Sequence, residues 1–174
     1  KQKKDNIPAG TTVFTGTSQT EVTTRTAILN HTKGSDASVN WSSTDKIWVK
    51  DDGGNWQQSG AVTFPFATNK AQGMFALSGT YTGSTHKVRY TGKNGASDKV
   101  TIKASQTQNT PNDAAHIADD GDFGVADATG SGKYTFTLNH KAAYVTFMPY
   151  TAQGVIAGAK LQKIRIYTDN SSDQ

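Results

Sequence analysis

The chain has no cysteine, which excludes disulfide bridges, thiolate catalysis and Cys-ligated zinc together. That absence fixes no compartment, because a chain without thiols is tolerated in either redox environment. No run of about 18 apolar residues occurs, so no helical membrane span is expected. Nor does an apolar leader open the chain. It begins Lys1-Gln-Lys-Lys4, as a mature or trimmed terminus would, and this short cluster reads as a solvated tether. The formal net charge is +4 and the pI about 9.2, but Lys and Arg are scattered rather than gathered into a stripe. A nucleic-acid partner is therefore not expected.

Patterns that carry catalysis are equally scarce. No Gly-x-Ser-x-Gly elbow is present. His31, His86, His116 and His140 stand far apart, at no spacing that would present two of them to one metal on a helix. Asp122-Phe-Gly124 spells a kinase tripeptide without the Gly-rich and His-Arg-Asp loops that give it meaning. The acidic run Asp119-Asp-Gly-Asp122 lacks the ligand ladder and terminal Glu of a calcium loop and reads as solvated. Asp51 and Asp52 are explained by turn chemistry. No catalytic residue, metal or cofactor is expected, and substitution of Asp119, Asp122 or His140 should reveal no catalytic role.

What the chain does contain is alternation. In Lys133-Tyr-Thr-Phe-Thr-Leu138, Tyr134, Phe136 and Leu138 fall on one side and Thr135 and Thr137 on the other, as a half-buried strand requires. The stretch 142–150 and the run Leu161-Gln-Lys-Ile-Arg-Ile166 repeat the design, with Ile164 and Ile166 toward a core and Lys163 and Arg165 toward solvent. Thr supplies 25 of 174 residues and Gly another 17, while apolar residues make up 34%. Pleated sheets with a polar threonine face and many turns fit this composition better than packed helices. The length suits one sizeable domain.

Further strands are expected at Val13-Phe14, 21–29, 47–49, 61–66, 73–77, 87–90 and 99–103. Asp51-Asp-Gly-Gly54 is a hairpin signal, because Gly adopts the positive φ of tight turns. The stretch 105–132, rich in Asn, Asp, Ala and Gly, reads as a long loop with at most one helical turn. This spacing predicts an antiparallel two-sheet β-sandwich whose core includes Trp41, Ile47, Val49, Phe136, Leu138, Tyr144 or Val145, and Ile164.

The ordered set of patterns resembles the fimbrillin-like surface proteins and type V pilins (Mfa-like proteins) of Bacteroidetes-type bacteria. The matching pieces are Thr23-Thr-Arg-Thr26, Trp41-Ser-Ser-Thr-Asp-Lys-Ile-Trp-Val49, Gly73-Met-Phe75 and Ile102-Lys-Ala-Ser-Gln-Thr107. His116-Ile-Ala118, Phe136-Thr-Leu-Asn-His-Lys-Ala-Ala143 and Lys160-Leu-Gln-Lys-Ile-Arg-Ile166 follow in order. The resemblance implies a pilin N-terminal domain of transthyretin-like character, with residues 1–25 a tether and removable first strand and residues 26–174 the fimbrillin-like sandwich. Because members usually continue into a second β domain, the chain reads as a truncated protein or an excised domain.

In that family a trypsin-like protease cuts after an Arg near the end of the first strand, and the vacated groove accepts a strand from the next subunit. Arg25, followed by Thr26, is the matching position and the only Arg before Arg89. His140 matches a strand-linking histidine whose role is structural. The resemblance implies an exported, non-enzymatic structural or adhesive protein at the cell surface, either fimbrial or anchored to the outer membrane as a lipoprotein. Its partners would be other pilin subunits and a host or bacterial surface protein or glycan.

The tryptophans discriminate an alternative from a different class. Trp41 is expected to be buried. Trp48 falls opposite Ile47 and Val49, on the face of Lys46 and Lys50, and is expected to be exposed for contact. If Trp48 and Trp56 share an open face beside polar side chains, a surface glycan-binding module is favoured instead.

Overall fold

The computed structural model describes residues 7–18, 40–109, 115–142, 147 and 160–165. The chain divides into two compact units, Lys1–Tyr144 and Val145–Gln174. The described part of the first unit is all-β apart from one short helix. Its strands are β1 (Thr12–Ser18), β2 (Trp48–Lys50), β3 (Trp56–Gln58), β4 (Gln72–Leu77), β5 (Thr85–Tyr90), β6 (Gly124–Ser131) and β7 (Lys133–His140). Helix α1 (Ala115–Asp120) lies in the chain between β5 and β6.

The strands form one sheet in the order β3-β2-β5-β6-β7-β1-β4. Alternation decides which side of each strand faces inward. In β7 Tyr134, Phe136 and Leu138 are buried while Thr135 and Thr137 are exposed, and β5 repeats this with His86, Val88 and Tyr90 inside. Asp51 to Gly54 turn the chain between β2 and β3, with Gly54 at φ 83°.

The expectation of purely antiparallel pairing is corrected at one place. β1 runs antiparallel to β4 but parallel to β7, with Phe14 opposite Tyr134 and Gly16 opposite Phe136. A parallel pair needs a long crossover between its strands, and nearly the whole described sheet lies in the chain between β1 and β7.

A single mixed sheet therefore stands where two antiparallel sheets were expected, and its ends are tied. After β3 the chain turns back against β4 at the opposite end of the strand order. The Gly60 N–H donates to the Ala76 carbonyl at 3.1 Å, and Thr63 and Met74 exchange bonds of 2.9 and 2.8 Å. The same segment donates from Ser59 to Ile47 and from Val62 to Asp45, just ahead of β2. Sheet ends left open would present unpaired backbone groups.

Inside the curled sheet Phe14, Trp41, Ile47, Val49, Phe75, Leu77, Tyr90, Tyr134, Phe136 and Leu138 form one buried cluster. Phe14 stacks on Tyr134 with centroids 4.8 Å apart, and Trp41 packs edge-on against Phe75 and Tyr90. Trp41, Ile47, Val49, Phe136 and Leu138 thus lie where alternation places them. The Phe136 ring fills the space over Gly16, where a Cβ would come within 2.3 Å of its tip.

Four expectations change. Residues 99–103 form no strand and only an isolated bridge joins Lys99 to Ala96, while 61–66 contribute only the Thr63 bridge. The stretch read as a long loop with room for one helical turn holds, besides the short helix α1, all of β6. In the second unit, residues 160–165 carry no strand, and Ile164 is 44% exposed rather than a core residue. Alternation alone does not make a strand, and among the described residues no ladder partner pairs with this run. Expected strand 21–29 and core candidates Tyr144 and Val145 lie outside the described residues, as do Arg25 and Thr26.

Candidate functional site

Two arrangements gather functional side chains. The first is the outer face of β3, β2, β5, β6 and β7. The register sets Trp48 opposite Arg89 and Gln58, and Lys50 opposite Trp56. Because residues two apart share a face, both tryptophans stand on the outer side, on adjacent strands, with Ile47 and Val49 fully buried behind them. Each Trp is half-buried rather than fully open.

Arg89 organises this face. Its guanidinium carbon lies 4.2 Å from the centroid of the Trp56 ring, and Nη1 donates to the Ser97 carbonyl at 2.7 Å. Stacking on an indole is favourable for a planar cation, and these two contacts together hold the fork in place. Beside it Lys87 pairs with Asp127 at 2.7 Å, both side chains being largely exposed, so the pair adds little stability. Between these residues runs a groove of about 530 Å³, walled by Trp56, Arg89 and Lys50 and continuing to Asp127, Thr137 and Asn139. Trp48 lies outside the groove lining. Sequence pattern located the two tryptophans, but nothing in it linked Arg89 to them.

The second arrangement is internal. His140 Nδ1 lies 3.0 Å from Asp122 Oδ1, and Ser18 Oγ lies 3.5 Å from His140 Nε2. Asp122, expected in a solvated loop, is 1% exposed. The correction has a simple cause: the turn after α1 swings Asp122 under the end of β7, where the His140 ring meets it. Hydroxyl, imidazole and carboxylate follow the order of a nucleophilic triad, an assembly that sequence motifs gave no means to foresee. Yet the Ser18 to His140 contact is at the long limit for a hydrogen bond, and the His140 side chain is 3% exposed and that of Asp122 0%. As placed, the chain ties the end of β1 to the end of β7 and to the start of β6.

Two further buried groups shape the interior. Tyr90 donates to Asp45 Oδ1 at 3.1 Å, and the Ser42 N–H donates to Oδ2 at 2.6 Å. Burial pushes the Asp45 carboxyl up to about 6 despite both bonds, and burial raises the Tyr90 phenol further above its ordinary range. At the hairpin, the Gln57 amide and Asn55 N–H hold Asp51 below the usual carboxylate range, and the Thr82 hydroxyl and N–H do the same for Asp52. Asp51 thus serves the turn, as expected, whereas Asp52 ties the hairpin to residues 82–83 ahead of β5, a long-range role rather than turn chemistry.

Among the described residues no three His, Cys, Asp or Glu gather as metal ligands, and no helix is long and apolar enough to cross a membrane. Comparison with protein-family models, curated proteins and solved structures gives no match.

Proposed function

We propose that the chain is a non-enzymatic structural or adhesive protein of the cell surface, a fimbrial subunit or a tip or anchor component that assembles by β-strand exchange. In this reading the curled sheet corresponds to the transthyretin-like two-sheet sandwich of a pilin N-terminal domain, wrapping two walls around one core.

The observation that carries the proposal is the position of β1. It comes from the first 18 residues yet sits between β7 and β4 inside the strand order. Its removal would expose two rows of backbone donors and acceptors and the apolar site of Phe14, and an incoming strand satisfies both. Arg25 follows β1 closely enough in sequence for cleavage to free the strand. Limited digestion with an Arg-specific protease, followed by mass analysis and electron microscopy, is expected to show cutting after Arg25, loss of the N-terminal peptide and filaments. Resistance at Arg25, or cutting without strand loss or filaments, would end the strand-exchange reading.

The second reading, a surface glycan-binding module, is favoured by Trp48 and Trp56 sharing one outer face beside Arg89, Gln58 and Asn139. The two readings are compatible, because that face and the β1 site use different surfaces of the sheet.

A further inference from the structure

We infer that the groove beside Trp56 binds a carboxylated polysaccharide, a chain bearing uronate sugars. The inference rests on the reading of this face as a carbohydrate surface and specifies the ligand class. A neutral sugar binds an exposed indole by laying a ring against it. Here one side of the Trp56 indole is already covered by the Arg89 guanidinium at 4.2 Å, so the group presented in its place is a cation.

Charge runs the same way. Lys50, Lys87 and Arg89 line the groove against a single carboxylate, Asp127. That carboxylate is taken by Lys87. Among the described residues no carboxylate pairs with Lys50 or Arg89. Arg89 is held by its stack and by the Ser97 carbonyl, which leaves other N–H groups of a fixed planar fork to meet a planar carboxylate. Thr137 and Asn139, further along the lining, supply partners for the hydroxyls of a sugar ring. An acidic peptide would match the charge too, and tetraglutamate in the test below decides between the two.

The test titrates the full chain with tetragalacturonate by calorimetry and Trp fluorescence, with maltotetraose, a sulfated tetrasaccharide and tetraglutamate as comparators. The expected result is saturable binding of tetragalacturonate that weakens as salt is raised. Lys50→Gln and Arg89→Lys should each weaken it roughly tenfold, as loss of one charge-assisted contact does, and Trp56→Ala should weaken it by releasing the Arg89 fork from its stack, while Lys133→Gln, outside the groove lining, should not. Near-UV circular dichroism confirms that each variant is folded.

Equal or tighter binding of the sulfated sugar or of tetraglutamate overturns the carboxylated-sugar assignment, as does equal binding by all variants. If maltotetraose alone binds, the carbohydrate reading stands and the charge argument falls. If no saccharide binds to folded protein, both fall, and filament formation after Arg25 cleavage still decides the strand-exchange proposal independently.

Discussion

Asp45 is a residue whose cost depends on pH. Its folded carboxyl titrates near 6, above its ordinary 3.8, so between these values the native state binds a proton that the unfolded state has released. Its contribution to stability is therefore largest at acid pH and falls as pH rises through about 4 to 6, by on the order of 3 kcal/mol. Asp45→Asn removes this dependence. Urea unfolding at pH 4 and pH 7 is expected to show the variant gaining on the parent at the higher pH, and a constant difference would refute the assignment. His140→Ala poses the opposite problem, since it strips a buried carboxylate of the imidazole it faces. A loss of about 3 kcal/mol is expected. Gly16 permits no side chain, and Gly16→Val should cost about 1–3 kcal/mol by forcing the Phe136 ring aside. Thermal unfolding measures both.

Elements were legible in the sequence where alternation and packing agree. β7 and β5 alternate buried larger side chains with polar ones, as expected, and in β4 Phe75 and Leu77 share the buried side although Met74 blurs the pattern. β6 was not legible, because Gly-Val-Ala-Asp-Ala-Thr-Gly-Ser offers weak β propensity and small side chains. It is a strand because β5 and β7 hydrogen-bond to it on both sides, a tertiary cause that no local window contains. The same limit hid Arg89 and the Ser18, His140 and Asp122 chain, whose members meet only through strand order. β1 makes the element-scale prediction. A synthetic peptide spanning residues 7–18, added to chain trimmed after Arg25, should bind and recover near-UV circular dichroism, whereas the same peptide with Phe14→Ala should bind much more weakly. Equal binding by both peptides would show that the Phe14 site does not select the strand.

At the scale of the whole molecule, the tie between 60–63 and β4 bears on association. With the segment after β3 bonded to β4 at the other end of the strand order, the described sheet leaves little of the β4 edge open to a neighbour. Uncut protein is expected to stay free of filaments in electron micrographs at concentrations where trimmed protein forms them. Filaments from uncut chain would place the assembly surface elsewhere.

The parallel pairing of β1 with β7 also sets a timetable for folding. Val13 meets Lys133 and Ser18 meets Leu138, about 120 residues apart along the chain, and contacts of such long range slow folding because a large loop must close before they form. A chain emerging from its N-terminus would hold β1 without its parallel partner until β7 had followed. During that interval β1 has only β4, its antiparallel neighbour, to pair with, so its ladder to β7 is the last of its two to close. A strand whose second side stays open longest is also one whose place there a strand from another molecule can contest.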